Sequence, residues 1–235
     1  MRLISADILK LKRRRGMVAL VAALTFASVA LYFIVGGDGG AGGFDSAMGI
    51  LALLASLGGA IFGATAGGAD IESGVFRDLA ATGRSRSALF FSRVPAAWAL
   101  TLGILAVAII GSAVAAAALP GDPLNAGDMT VGAVQVLASG ALTAAVCVGL
   151  AALTGSRGPV MGVVLAFQLG AAPLLAQLDI LGDARWGIPA VAITRIGGAD
   201  GLVDALALPA AIAIVLAWAA AGLGAGLWRT RTQEI

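Results

Sequence analysis

Histidine is absent from this sequence, lysine occurs only at positions 10 and 12, and the single cysteine, Cys147, lies inside an apolar run. Without histidine the commonest general base and the commonest metal ligand are both missing. One cysteine excludes an internal disulfide, and Cys147 is expected to serve as a small core residue. Charged residues make up 12% of the chain, about half of what a soluble domain carries. The net charge of +2 offers no footing for nucleic acid. No GxxxxGK[ST] loop occurs, so ATP is not expected to bind this chain by the phosphate-cradling route. No catalytic residue, metal site or cofactor is therefore expected in the chain itself.

What the sequence has instead is apolar length. Of its 235 residues 60% are hydrophobic, and the mean hydropathy is +0.99. A helix needs about 20 apolar residues to cross the hydrocarbon core of a bilayer. Six uncharged stretches meet this length, at 17–35, 46–69, 94–119, 130–154, 159–178 and 205–228. The first follows a basic segment in the order of a signal peptide, but its apolar part of about 19 residues exceeds the roughly 7–15 of a signal-peptide core. It reads as a retained span.

The basic residues sort by side. Six lie before the first span, four in the second connection (Arg77, Arg84, Arg86, Arg93), one in the fourth (Arg157) and two in the tail (Arg229, Arg231), which makes 13 of 15. The positive-inside rule predicts that this side is cytoplasmic and that both termini lie there. The expected fold is all-α and polytopic, with six transmembrane helices. Residues 1–16 are expected to form an amphipathic interface helix. Its apolar face is Ile4, Ile8 and Leu11, and Lys10, Lys12, Arg13, Arg14 and Arg15 are placed to meet lipid headgroups. Residues 17–235 form one transmembrane domain, with a cytoplasmic loop at 70–93 and an extracytoplasmic loop at 179–204. The second loop contains ARWGIPAVAITRIGG, too apolar for a plain surface loop, and Trp186 suits a membrane interface.

Small residues recur at four-residue spacing. Gly59, Gly63 and Gly67 form one row in the second span, and Gly222 with Gly226 repeats the device in the sixth. Such spacing lets helix backbones approach in lipid, where the hydrophobic effect does not drive association. No Asp, Glu, Lys, Arg or His falls within the predicted spans. A proton-coupled carrier usually keeps one there, so energy for transport is expected to enter from outside the chain.

Residues 67–86, GGADIESGVFRDLAATGRSR, place three carboxylates and three arginines directly after an apolar run. Asp70 and Glu72 are two apart and do not share a helix face, which is poor for paired-carboxylate catalysis. Ile71, Val75, Leu79 and Phe76 would give a short helix an apolar stripe between Gly74 and Gly83. That pattern suits a docking element.

The stretch ADIESGVFRDLAATGRSRSALFFSRV resembles the segment after the second span in membrane subunits of ABC-2 type transporters, although Val75 and Gly83 stand where that family commonly has threonine and proline. The six-span layout and the basic N-terminal helix are also similar. The resemblance implies an ABC-2 (type V exporter-like) transmembrane domain in the cytoplasmic membrane of a bacterium. It further implies a coupling element containing or flanked by Asp70, Glu72, Ser73, Gly74, Phe76, Arg77, Asp78, Arg84 and Arg86, and short helices dipping into the outer leaflet at 179–204. The expected partners are two copies of an ATPase subunit that carries ATP and Mg, a second permease identical or related to this one, and the lipid bilayer. The implied activity is export by alternating access. An ATP-independent carrier or channel-like protein is the competing reading.

Overall fold

The computed structural model describes residues 2–35, 39–81, 83–198 and 206–232. Asp38, Asp200, Asp204 and the first residue of the predicted sixth span, Ala205, lie outside them, as does the side chain of Arg77. Among the described residues every regular element is helical. Six helical segments are long and apolar enough to cross a membrane, so the chain is a multi-pass, all-helical membrane protein.

Helix α1 (Arg2–Arg13) ends where Arg14 leaves helical geometry at φ −78°, ψ 60°, and α2 (Arg15–Ile34) sets off in a new direction. Twenty residues at 1.5 Å each span about 30 Å, the thickness of the hydrocarbon core. Helix α3 (Gly40–Glu72) is longer, at 33 residues. It starts six residues before the hydropathy pattern predicts, and Asp45 falls inside it. Contact with another turn explains this start. A Cβ on Gly39 or Gly121 would collide with the backbone of the facing turn, and Gly40 (φ +62°) lies against Asp122. The Ala41 amide then donates to the Asp122 carbonyl at 3.0 Å. At the other end of α3, Ser73 Oγ donates to the Ala69 carbonyl at 2.9 Å, and Gly74 takes φ +75° to turn the chain.

Two short helices follow, α4 (Val75–Ala81) and α5 (Arg86–Phe91). Gly83 lies between them with φ +81°, and Ser85 caps α5 by accepting from the Ala88 amide. Helix α6 (Arg93–Ala118) forms the third span. Helix α7 (Ala126–Thr154) is capped by Asn125 and ends at Gly155 in the left-handed region, the usual helix stop. The fifth span is composite. Helix α8 (Gly158–Ala166) passes through a π turn at Phe167–Ala171 into α9 (Ala172–Ala176). Pro173 cannot donate to the preceding turn, and the wider turn takes up the mismatch. A 3₁₀ segment at Asp179–Gly187 leads to α10 (Pro189–Ile196), and α11 (Leu208–Thr232) is the sixth span. Ala192 and Ile193 of α10 are buried, and α10 packs on α7 and α11.

The core is a layer of three helices with α7 in the middle. A Cβ added to Gly59 would lie 2.7 Å from the Gly140 carbonyl oxygen. At Gly63 it would strike the backbone of Ala144, and at Gly67 that of Val148. Residue numbers rise together along both helices, so α3 and α7 run parallel. On the other side of α7, Gly149 meets Gly222 and Gly226 of α11 just as closely. Both glycine rows thus face α7, at distances no side chain could occupy. Ser56 and Ser139 share a hydrogen bond of 3.1 Å inside the α3–α7 contact. Helix α6 crosses the same layer, with Leu105 and Thr101 filling the space over Gly140. Its Trp98 indole donates to the Ala141 carbonyl at 2.9 Å. Leu31, Val107, Ile110 and Leu216 on the outer helices are exposed, as lipid-facing side chains are.

Candidate functional site

Four segments remote in sequence meet at the basic end of the bundle: α1, the turn after α3, the start of α6 and the turn between α7 and α8. Asp70, in the last turn of α3, is buried. Lys10 of α1 donates to both of its carboxylate oxygens, at 2.8 and 2.9 Å. On the far side stands Arg93, the first residue of α6 and 2% exposed. Its Nη2 lies 3.5 Å from Asp70 Oδ2, and its Nη1 donates to the Gly67 carbonyl at 2.9 Å. The guanidinium also sits 5.2 Å from the centre of the Phe76 ring, within the range of a cation–π attraction. Phe76 is thereby buried, and α4 is pinned to α6.

Asp7 completes the cluster. It accepts from Ser92 Oγ at 2.6 Å and lies 3.9 Å from Lys10 Nζ. Two cations, Lys10 and Arg93, face two carboxylates, Asp7 and Asp70, so the formal charge sums to zero. A buried charge is tolerated when it is paired and hydrogen-bonded, and removing one partner is costly. The cluster has a residual cavity of about 10 Å³, at the lower limit for a single water molecule. It has no room for a substrate. It is a mechanical joint that fastens α1, α3, α4 and α6 together.

A second tie lies beside it. Glu72 Oε1 accepts from the Arg157 backbone amide at 2.6 Å, and Glu72 Oε2 pairs with Arg157 Nε at 2.9 Å. The carboxylate therefore sits at the N-terminal end of α8, where unpaired amides and the helix dipole favour a negative charge. This tie fixes the turn after α3 against the turn between α7 and α8. A third tie joins α5 to the end of α11: Arg231 Nε donates to Ser87 Oγ at 3.0 Å, and Arg86 Nη1 donates to the Arg231 carbonyl at 3.2 Å.

The residues expected in the coupling element divide accordingly. Asp70 and Phe76 point inward and belong to the joint. Glu72, Ser73 and Arg86 are engaged in contacts within the chain, and Gly74 supplies the turn. Asp78 and Arg84 are exposed, together with Val75, whose exposure is 40%. The expected stripe of Ile71, Val75, Leu79 and Phe76 is split, because Phe76 is drawn onto Arg93 while Val75 faces out. Lys10 also departs from its expected role at the headgroups, since Asp70 attracts its ammonium. Lys12, Arg13, Arg14 and Arg15 remain exposed.

Sequence reasoning did not single out Asp7, Ser92, Arg93 or Arg157 as members of the site. A signal for Asp7 was present, because it falls on the same face of α1 as Leu11 and so must approach the bundle. Among the described residues no group of three acidic, histidine or cysteine side chains could hold a metal ion. No protein-family model matches the chain, and neither a curated protein nor a solved structure matches it.

Proposed function

We propose that this chain is the membrane-spanning subunit of an exporter driven by a separate ATPase, with α4 as the docking element. The observation that carries this reading is the mounting of α4. A helix of seven residues between two spans presents Val75 and Asp78 outward while Phe76 locks it to the buried Arg93–Asp70 pair. A push on such a helix reaches α3 and α6 through Asp70 and Arg93. It reaches the turn between α7 and α8 through Glu72 and Arg157. The clustering of basic residues at this end supports a cytoplasmic position for it, with both termini on that side.

The sequence resemblance of residues 69–94 to ABC-2 permeases supports the same reading. In it, two ATPase subunits carry ATP and Mg, two permease subunits face one another in the cytoplasmic membrane of a bacterium, and export follows alternating access. Charge changes on the outward face test it. In the complex purified from native membranes, Val75→Asp combined with Asp78→Arg should abolish substrate-stimulated ATPase activity while the variant still inserts and elutes as a folded protein. Full activity in that variant would remove α4 from the docking role. Transport by this chain alone in vesicles without ATP would replace the reading with that of a secondary carrier.

A further inference from the structure

A groove of about 550 Å³ runs between α2, α3 and α8 at the basic end. Arg14 and Arg15, from the junction of α1 and α2, and Arg157, from the turn before α8, line its mouth. Its walls are apolar, formed chiefly by Leu20, Ile61 and Met161. The segregation follows depth. Met161 is one helical turn beyond Arg157, and Ile61 lies eleven residues before Glu72, about 16 Å further along α3. Thr65, the polar side chain of the wall, spends its hydroxyl on Met17 Sδ at 3.5 Å. Among the described residues Arg14 and Arg15 have no ion-pair or hydrogen-bond partner for their side chains. Arg157 uses its Nε on Glu72, and a guanidinium carries further N–H donors beside that one.

We propose that this groove binds one anionic phospholipid, with its headgroup phosphate among the three arginines and an acyl chain along Leu20, Ile61 and Met161. Charge complementarity selects the headgroup, because three cations meet at the mouth and the carboxylates nearby, Glu72 beside Arg157 and Asp7 and Asp70 on the other side of Arg14, are already paired. Position selects a lipid over a soluble anion. The apolar wall lies along membrane-spanning helices and gives a free phosphate or a hydrophilic phosphate ester nothing to contact. Bidentate guanidinium–phosphate contacts supply the strongest hydrogen bonds open to such a headgroup, and basic sites between spans are suited to acidic lipids. The site stands independently of the transporter reading, since it needs only that the chain spans a bilayer.

The test uses the full chain in phosphatidylcholine nanodiscs that contain a trace of phosphatidylglycerol with a photoreactive group in its acyl chain. Labelled peptides should cluster at Leu20, Ile61 and Met161. Photoreactive phosphatidylcholine at the same level should not favour these sites over the exposed Val107 and Ile110 of α6. Removing two of the three mouth charges in Arg14→Gln/Arg15→Gln should weaken phosphatidylglycerol labelling by roughly twenty-five-fold, from about fivefold for each basic residue near an acidic headgroup. Leu20→Trp keeps the charges and fills the groove, and it should also lower the labelling, which covers the case in which the arginine variant fails to insert. Equal labelling by the two lipids, or labelling unchanged in both variants, would overturn the proposal. So would displacement of the label by excess inorganic phosphate, which would assign the mouth to a soluble anion.

Discussion

The seam between α3 and α7 and the joint around Asp70 lie on the same helix, and they hold their neighbours by opposite means. In the seam, Gly59, Gly63 and Gly67 remove side chains altogether and let backbone meet backbone. At the joint, Lys10, Arg93, Asp7 and Asp70 fill the space with charge. The change comes within one turn of α3, between Gly67 and Asp70, and Arg93 spans it by binding the carbonyl of one and the carboxylate of the other. Inside lipid, apolar side chains gain nothing by leaving one apolar medium for another, so close packing is the means left to hold helices together. Where water begins, paired charges can be kept, and they add direction that packing lacks. The seam therefore sets where the helices sit, and the joint fixes α1, α4 and α6 against the end of α3.

The sharpest way to break the seam is to give it a side chain. Gly63→Leu drives a branched group into the Ala144 backbone, which cannot move aside as a flexible side chain could. The loss should exceed about 3 kcal/mol and is read as lost monodisperse protein and a lowered unfolding temperature in detergent. The joint should come next. Arg93→Met leaves Asp70 buried with Lys10 as its remaining cationic partner, at a cost of about 3–5 kcal/mol. Adding Asp70→Asn should restore part of it, because the second change removes the buried carboxylate that has lost one of its two cations. If the double variant is as unstable as the sum of the two single ones, the two side chains do not act as a pair.

Glu72→Gln should separate position from stability. Its ion pair with Arg157 is partly exposed, and such pairs are worth about 1 kcal/mol or less. Unfolding should therefore shift little, while transport-coupled ATPase activity falls. The smallest effect belongs to Thr101, whose hydroxyl is buried in the layer without a hydrogen-bond partner among the described residues. Thr101→Val should be neutral or stabilise the fold by up to about 1 kcal/mol, seen as an unchanged or raised unfolding temperature.

Much of the architecture was legible in the sequence for simple physical reasons. Six apolar runs of bilayer length give six spans, and glycines four residues apart can only mark a close helix contact if they line one face. The early start of α3 was not legible, because it depends on Gly39, Gly40 and Gly121 meeting across two turns far apart in the chain. The joint was half legible. Asp70 and Phe76 lie in the charged segment that the sequence marks out, yet their partners Lys10 and Arg93 come from two other elements. Lys10 read as a headgroup contact because pattern alone shows which face of α1 is basic and not which carboxylate comes within 3 Å of it. The tie of Glu72 was out of sight for the same reason, since Arg157 is 85 residues away.

The account rests on α4 being the surface that meets a partner, and one measurement addresses it directly. A photocrosslinking amino acid placed at Asp78, on the exposed side of α4, is activated in the native host's membranes, and the adducts are identified by mass spectrometry. The account predicts a single major adduct with a soluble ATPase, lost when Val75→Asp is introduced. Adducts with lipid alone, or with no protein but this chain, would contradict it.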